Sequence, residues 1–294
     1  MADDALAPSA RVAALPFLKW AGGKRSLVET IVKYLPADMS ERVYLEPFLG
    51  GGALFFWLQH NRPPKQAILT DANSKLTSCY LVVRDLCSEL RENIRALELD
   101  RERQGPEAHY YAVRERFNDG SLNRIARAAH LIYLNRTGFN GLYRSSKKGA
   151  FNVPWGRHET PPEVDDIRIK LASRALKDAA IFDADFGLAL RDVKPGDVVY
   201  LDPPYVPASK SANFTGYSSE FGLAEHQRLS DAFRDISKRG CWAVMSNSDT
   251  PLVRELYQGF RIVELDARRS IAAAGESRKP AKEVLILSDC CDAR

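Results

Sequence analysis

One short run of the chain, Asp202-Pro203-Pro204-Tyr205, combines groups that could bind a flat amine, and we call it the Asp-Pro-Pro-Tyr segment. It follows the apolar residues 198–201, which are typical of a buried parallel strand. Two prolines cannot continue the ladder, so the strand must end there. The Asp202 carboxylate and the Pro203 carbonyl can each accept an N–H hydrogen bond, and the Tyr205 ring can stack. A nucleobase turned out of its helix would present such a planar NH2 group. An Asp-Pro pair alone is also common in ordinary surface turns.

The elements that would position this segment predict an open α/β sheet, in which ligands bind outside the carboxyl ends of the strands. A strand at 43–46 is followed by three glycines, the glycine turn (residues 50–52), and then by a helix at 53–59. A second strand, 67–70, ends at Asp71, about 20 residues after the turn, where a carboxylate can bond both ribose hydroxyls of a cofactor. Glycines alone also mark plain tight turns, but their pairing with Asp71 favours a cofactor site.

The same alternation resumes later in the chain. It predicts strands at 179–182, 198–201, 242–245, 260–265 and 283–287, and helices at 71–85, 225–239 and 250–257. The strand at 179–182 runs into Asp185 and Phe186, which could reach the adenine of a cofactor from the same edge of the sheet. Residues 206–224, including Phe214 and Tyr217, are polar and glycine-rich, and they predict a mobile flap over the site.

Residues 17–25 place two glycines and Lys24 ahead of a helical pattern that begins at Ser26, its predicted N-cap, and runs to 34. The phosphate loop of nucleoside-triphosphate sites is not matched, because Leu18 stands where its first glycine belongs and Arg25 replaces the Ser or Thr. We expect the glycines to let the backbone pass close to a ligand, with Lys24 near the carboxylate of that ligand.

Between about 86 and 174 the βα alternation stops, and amphipathic helices are predicted at 86–99, 107–118 and 122–135. Residues 136–158 then interleave glycines, aromatics, Asn and Arg, with five Lys or Arg and no Asp or Glu, which indicates a basic, hairpin-like loop. A second basic loop, 268–282, joins the last two strands. Such loops suit a polyanion, with Arg and Asn able to read base edges, but they could also be solvated loops that pack on their own bundle.

Length and composition are ordinary for a soluble globular protein, with 294 residues, 45% hydrophobic, and a net charge of +4. No run is long enough to cross a bilayer and no signal peptide is recognisable, which favours the cytoplasm. The five cysteines have neither metal-ligand spacing nor a disulfide framework, so no metal is expected. Cys79, Cys87 and Cys241 are predicted to be core thiols, whereas Cys290 and Cys291 fall in a polar tail.

Taken together, the motifs resemble the DNA adenine-N6 methyltransferase family, of the DNA adenine methylase type with alpha-group (D12 class) motif order. The resemblance spans about residues 17–287. It is carried by Leu18-Lys19-Trp20-Ala21-Gly22-Gly23-Lys24, Glu46-Pro47-Phe48-Leu49-Gly50-Gly51-Gly52, Asp71-Ala72-Asn73, Asp185-Phe186, Asp202-Pro203-Pro204-Tyr205 and Ser246-Asn247-Ser248-Asp249-Thr250.

The resemblance implies a Rossmann-like methyltransferase sheet, formed by 15–85 and 175–289, with an inserted, mainly helical target-recognition domain at 86–174 and a loose N-terminus at 1–14. It implies S-adenosylmethionine as the cofactor and S-adenosylhomocysteine as the product. The implied cofactor contacts are Trp20, Ala21, Gly22, Lys24, Glu46, Pro47, Phe48, Gly50, Gly51, Asp71, Asp185, Phe186 and Asp202.

The implied partner is double-stranded DNA, and the implied DNA contacts are Lys19, Phe139, Asn140, Leu142, Arg144, Arg157 and Tyr217. Residues 139–144 and Arg157 match the segment that reads GATC in the best-known members, so GATC is the leading target. Lys19 resembles a further base contact, and Tyr217 or Phe214 would close over the other face of the flipped base. Phe139 departs from the pattern, because some GATC readers have a tyrosine there. A monomer with no obligate protein partner is the expected state. The sequence leaves open a restriction–modification system, a phage or a bacterial chromosome as the setting.

The predicted reaction is direct methyl transfer to N6 of a flipped adenine, with the Asp-Pro-Pro-Tyr segment as the catalytic site. The N6 lone pair is delocalised into the ring, and two acceptors, Asp202 and Pro203, would draw it out of conjugation and align it for in-line displacement. Alternatives from other classes are an RNA adenine methyltransferase, a protein glutamine methyltransferase and a noncatalytic DNA-binding or restriction-associated protein. Glutamine enzymes resemble Asn-Pro-Pro-Tyr, so Asp202 counts against them.

Overall fold

The structure is a computed structural model that describes residues 12–20, 22–146, 148–158, 160, 162, 164–206, 221–265 and 282–292. Several predictions fall outside these residues. They concern Ala21, Phe214 and Tyr217, most of the flap at 206–224, most of the basic loop at 268–282, and residues 1–11.

In the described part of the chain, seven strands form one sheet. They are β1 (Val43–Glu46), β2 (Gln66–Asp71), β3 (Ala180–Asp183), β4 (Val198–Leu201), β5 (Trp242–Ser248), β6 (Arg261–Leu265) and β7 (Glu283–Leu287). Their order is β3-β2-β1-β4-β5-β7-β6. The first five strands in this order are parallel, and β7 runs antiparallel to both β5 and β6. The predicted α/β methyltransferase sheet is confirmed.

Helices cover both faces of this sheet. They are α1 (Val28–Ile31), α2 (Ala53–Asn61), α3 (Ser74–Asp85), α4 (Cys87–Gln104), α5 (Pro106–Asp119), α6 (Arg124–Thr137), α7 (Asp166–Leu176), α8 (Phe186–Leu190), α9 (Leu223–Lys238) and α10 (Pro251–Leu256). None of the helices in the described ranges is long and apolar enough to span a membrane.

Strand β4 shows why the sheet needs helices on both sides. All four of its residues are buried, as expected for a central parallel strand. Successive side chains point to opposite faces, so Val198 and Tyr200 join the apolar core under α2–α7, whereas Val199 and Leu201 join the core under α8–α10. A continuous apolar run is therefore the sequence that this position requires.

The register of the strands brings the polar residues together at one edge. Leu201 of β4 pairs with Met245 of β5, so the next residues along, Asp202 and Ser246, lie side by side. On the other side of β4, β1 ends at Glu46. The carboxyl ends of these parallel strands thus supply the polar side chains of the candidate site.

The amino-terminal helix differs from its prediction. Residues 24–34 form two 3-10 turns, Lys24–Ser26 and Val32–Tyr34, with α1 between them. Leu27 occupies the N-cap of α1 and makes no side-chain cap hydrogen bond, so the predicted cap at Ser26 is wrong. The first 3-10 turn instead includes Lys24, whose side chain is drawn into the protein.

The region between β2 and β3 is helical as predicted, but α7 was missed, as was the short α8. The predicted hairpin-like loop has antiparallel bridges between Gly138 and Trp155 and between Ser145 and Phe151. Helices α4–α7 share one apolar core with α3 and the sheet, so 86–174 as a separate recognition domain stays a prediction. Cys291, predicted in a polar tail, is buried, and its thiol lies 3.4 Å from the Ala243 carbonyl oxygen.

Candidate active site

The Asp202 carboxylate is held from two sides at the end of β4. Its Oδ1 accepts a hydrogen bond from the Ser246 hydroxyl at 2.7 Å and lies 3.0 Å from the Lys24 ammonium. Within the described residues, no hydrogen bond is donated to Oδ2. The side chain of Asp202 is 21% exposed, so the carboxylate is anchored through Oδ1 and is still partly accessible.

Lys24 is a buried cation at the centre of the site, only 5% exposed. Besides Asp202, its ammonium donates to the Gly22 carbonyl and lies 4.4 Å from the centre of the Tyr205 ring. The sequence predicted that Lys24 would meet a carboxylate of the ligand, but in the structure it meets a carboxylate of the protein. The ion pair and the ring contact explain how the charge is tolerated there.

The Tyr205 ring is fixed by its own hydroxyl, which donates to Glu283 Oε2 of β7 at 2.9 Å. Burial and the nearby Asp202 charge raise the pKa of Tyr205 well above its ordinary value, so the phenol is neutral. Pro203 is buried and Pro204 is half-buried. The four residues of the Asp-Pro-Pro-Tyr segment therefore occupy a rigid corner between β4, β5 and β7.

Glu46 ends β1 on the other side of β4 and is 3% exposed. Its Oε2 accepts a hydrogen bond from the Tyr44 hydroxyl at 2.8 Å. Burial raises the pKa of Glu46 to about 8; the Tyr44 bond opposes this rise and the Asp202 charge adds to it. At neutral pH, Glu46 is therefore mainly a neutral carboxylic acid, which can donate a hydrogen bond as well as accept one.

The glycine turn is tied to the end of β2 by Asp71. One carboxylate oxygen accepts the Gly50 N–H at 3.1 Å and the other accepts the Asn73 N–H at 2.9 Å. Burial raises the pKa of Asp71 to about 6, although both N–H bonds oppose this. Each oxygen keeps a second lone pair, so the predicted bonds to ribose hydroxyls remain open.

Gly50 must be a glycine for two reasons. Its φ of +47° lies in the left-handed region, and an added Cβ would lie 2.8 Å from Trp20 Cδ1. The Trp20 ring therefore lies directly over the turn, and the Tyr143 ring is stacked on it, 5.1 Å away at an interplanar angle of 19°.

The predicted adenine contacts are engaged with the protein itself. Asp185 forms a two-pronged ion pair with Arg228, with both N–O distances 2.7 Å, and this lowers the pKa of Asp185. Phe186 is 2% exposed, with Phe48 stacked 5.4 Å away and the Arg228 guanidinium 3.9 Å from the ring centre. Contact of these two residues with a cofactor stays a prediction.

The predicted DNA contacts fall into two groups. Lys19 lies against the recognition turn (residues 139–142), in which Phe139 and Asn140 are exposed and Leu142 is half-buried. Arg144, half-buried, donates from Nε to the Asn152 side-chain oxygen at 2.7 Å.

The second group is the opposite limb of the loop, where Arg157 is exposed with a φ of +51°. The structure thus brings Lys19 and the recognition turn together. Arg144 is held by Asn152, which lies on the opposite limb of the loop.

Several supporting residues were not predicted as site residues, namely Ser246, Glu283, Arg228, Asn73, Tyr143 and Asn135. Ser246 could have been found, because it is a polar residue at the carboxyl end of a strand next to β4. Glu283 gave no signal, because it enters the site from the antiparallel β7. In the described part of the chain, no group of three or more His, Cys, Asp or Glu side chains could hold a metal ion.

Residues 20–271 match the family model described as D12 class N6 adenine-specific DNA methyltransferase. The chain is 37% identical over 277 residues to the Type II methyltransferase M1.LlaDCHI of Lactococcus lactis subsp. cremoris, which covers 92% of this chain and 94% of that protein. It is 38% identical over 286 residues to the Type II methyltransferase M.MjaIII of Methanocaldococcus jannaschii, with 93% and 98% covered. It is 36% identical over 276 residues to the DNA adenine methylase of Escherichia coli (strain K12), with 92% and 94% covered.

Proposed function

The chain belongs to the D12 class of N6 adenine-specific DNA methyltransferases, and from this premise we propose that it methylates an adenine turned out of duplex DNA, using the Asp-Pro-Pro-Tyr segment. The protein is an adenine-specific DNA methyltransferase, and its family takes the methyl group from S-adenosylmethionine. The flipped base, the target GATC and the role of each residue are the proposal.

The observation that carries the proposal is the asymmetric anchoring of Asp202. Ser246 and Lys24 both engage Oδ1, which leaves Oδ2 to accept one N6–H of the adenine. The Pro203 carbonyl accepts the other N–H. With both hydrogens held, the nitrogen lone pair is drawn out of conjugation with the ring and has one direction left, toward the methyl donor. Orientation of this kind can lower a barrier by up to roughly 7–11 kcal/mol.

The same anchoring keeps the segment in place before a base arrives. The Glu283 carboxylate fixes the Tyr205 hydroxyl, so the ring need not be reoriented to stack on the adenine. A base extruded from DNA loses stacking worth a few kcal/mol, and stacking on a fixed aromatic ring returns about 1–3 kcal/mol of it.

The residues around β1 and β2 fit S-adenosylmethionine. When bound, the cofactor supplies a methyl group on a positively charged sulfur. The glycine turn lets backbone approach closely, Asp71 keeps lone pairs for ribose hydroxyls, and the neutral Glu46 offers a donor or an acceptor. We assign the predicted contacts Trp20, Lys24, Phe48, Asp185 and Phe186 to the same cofactor on the family resemblance.

For the target, the proposal is GATC, read by Lys19, the recognition turn, Arg144 and Arg157. The packing of Lys19 against Gly141 supports this, because two parts of the chain predicted to read bases form one surface. Two of the relatives are named Type II methyltransferases, which supports a place in a restriction–modification system. The monomeric state and the cytoplasmic location stay predictions.

The test is incubation of the purified chain with labelled S-adenosylmethionine and adenine-unmethylated duplex DNA, followed by mapping of the modified adenines. We expect N6-methyladenine confined to GATC. Methylation at another site would keep the chemistry and refute the assigned target. Cofactor binding without transfer to DNA would refute the proposal, and a parallel reaction with RNA shows whether RNA is the substrate.

Asp202→Ala and Asp197→Ala form a matched pair for the catalytic assignment. Both remove a carboxylate next to β4, but Asp202 follows the strand and Asp197 precedes it, where it accepts the Lys194 N–H. We expect Asp202→Ala to abolish turnover and to leave DNA binding largely intact, and Asp197→Ala to remain active. Loss of turnover and DNA binding together in Asp202→Ala would show that Asp202 is structural.

A further inference from the structure

A buried amide in the last turn of α6 joins Lys19 to the recognition turn, which together form the proposed DNA-reading surface. Asn135 is 1% exposed and makes three hydrogen bonds. Its Oδ1 accepts the Lys19 N–H at 2.8 Å, and its Nδ2 donates to the Lys19 carbonyl at 2.8 Å and to the Gly141 carbonyl at 2.9 Å. One side chain thus fixes the backbone of Lys19, which lies 116 residues away from Asn135 in sequence, relative to the recognition turn.

The packing at Gly141 shows how close this connection is. Gly141 has a φ of +63°, and an added Cβ would lie 2.8 Å from the Lys19 Cβ. The Lys19 side chain therefore crosses the face of the recognition turn where any other residue would carry a side chain. Because Asn135 bonds the backbone of both Lys19 and the glycine beneath it, it sets the path of the Lys19 side chain across the recognition turn.

The charges around Lys19 explain why its position needs to be held. Partial burial and the nearby Arg136 guanidinium lower the pKa of Lys19. The Lys19 ammonium is thus repelled by Arg136, which follows Asn135 in the last turn of α6. Without the hydrogen bonds to Asn135, the segment that carries Lys19 could move away from Arg136. Both cations favour an electron-rich partner such as the O6 and N7 atoms of guanine.

We propose that Asn135 is a positioning residue for target specificity, which holds Lys19 and the recognition turn in one register so that they read adjacent base pairs together. This inference rests on the proposed DNA-methylating function. It assigns Asn135 no contact with DNA, cofactor or the reacting atoms.

The variants are Asn135→Ala and Asn135→Asp, the second of which keeps the size of the side chain and the acceptor for the Lys19 N–H but loses both donors. The matched control is Asn118→Ala. Asn118 clamps the N–H and the C=O of one residue, Phe151, at 2.8 and 2.9 Å, just as Asn135 clamps Lys19. Its bonds hold the far limb of the loop and do not involve Lys19 or Gly141.

The readout is kcat/KM for methylation of the DNA target and of each single-base variant of that target. Cofactor affinity and thermal stability are measured alongside. Discrimination is the ratio of kcat/KM for the target to kcat/KM for a single-base variant. We expect Asn135→Ala to lower this ratio on the order of tenfold at the base pair where Lys19→Ala also lowers it. Adding Asn135→Ala to Lys19→Ala should cause no further loss there, because Asn135 acts through Lys19. Asn135→Asp should show the same loss, and it serves if Asn135→Ala folds poorly.

Three results would overturn the inference. One is a uniform fall in rate for all DNA sequences with discrimination unchanged, which indicates a structural role. Another is additivity with Lys19→Ala, and the third is an equal loss of discrimination in Asn118→Ala. Failure of the proposed chemistry is seen separately, because the wild-type chain itself would then transfer no methyl group to any DNA. A wild-type enzyme without sequence preference would remove both this inference and the assigned target and leave the chemistry standing.

Discussion

Glu46→Gln tests whether the carboxyl group at the end of β1 is protonated in the folded protein. Burial raises the pKa of Glu46 from 4.5 to about 8. Since the folded chain then keeps a proton that the unfolded chain releases above pH 4.5, the free energy of unfolding must fall as the pH rises from 4.5 to about 8. At roughly 1.4 kcal/mol for each tenfold drop in proton concentration, this loss amounts to about 5 kcal/mol at most.

The assay is denaturant-induced unfolding of wild type and Glu46→Gln at intervals from about pH 5 to about pH 9. Glutamine is neutral throughout and can still accept the hydrogen bond from Tyr44. The free energy of unfolding of the variant should therefore rise relative to wild type by a few kcal/mol up to about pH 8, and then level off. Glu115→Gln, at an exposed position of α5, should stay within about 0.5 kcal/mol of wild type.

The reasoning would be refuted if the difference in free energy of unfolding between Glu46→Gln and wild type stayed constant across this pH range. It would mean that Glu46 ionises in the folded chain close to its ordinary pKa, and that the buried end of β1 is stabilised as a carboxylate. In that case Glu46 could only accept hydrogen bonds from a cofactor.

Three further substitutions test other parts of the site. Ser246→Ala removes the 2.7 Å bond to Asp202 Oδ1, and we expect kcat to fall about 10- to 100-fold with cofactor affinity retained, since a bond to a charged group contributes about 1.5–3 kcal/mol. Gly50→Ala places a Cβ 2.8 Å from Trp20 Cδ1 at a φ of +47°, and it should destabilise the protein by about 1–3 kcal/mol in thermal unfolding and weaken cofactor binding. Arg144→Ala should relax target choice by about 1–3 kcal/mol at one base pair, measured on single-base variants of the target, more than it weakens nonspecific binding.

Each of these has a result that counts against it. If Ser246→Ala loses cofactor binding and kcat together, Ser246 supports the fold and not the orientation of Asp202. Unchanged stability of Gly50→Ala would show that the Trp20 ring can move off the glycine turn. A uniform loss of Arg144→Ala across all sequences would make Arg144 a phosphate contact.

The features that the sequence determined by itself are ones carried by short stretches of chain. The apolar run of β4 and the two prolines after it predicted both a buried strand and its end. The glycine turn and Asp71 were found because a strand, its turn and the next strand follow one another along the chain. Periodicity gave helices α3–α6 to within a few residues, since burial of one face imposes its spacing directly on the sequence.

The partners of those residues were decided only by the tertiary structure. Glu283 fixes Tyr205 because the strand order places β4 beside β5 and β7 next to β5. Lys24 pairs with Asp202 because the first 3-10 turn lies at the carboxyl end of β4. Nothing local in the sequence specifies which strands become neighbours, nor their register. The capping error at Ser26 has a related cause, because burial of Lys24 replaced the regular helix start with a 3-10 turn.

The link between Asn135 and Lys19 shows the same limit at the proposed DNA-reading surface. Each residue lies in a stretch that the sequence marked, one at the end of α6 and the other beside Trp20. Their contact spans 116 residues and depends on a helix end, a glycine with positive φ and an N-terminal segment meeting in space. The residue types proposed for the chemistry could be found from the sequence, but the alignment that would let them act together exists only in the folded chain.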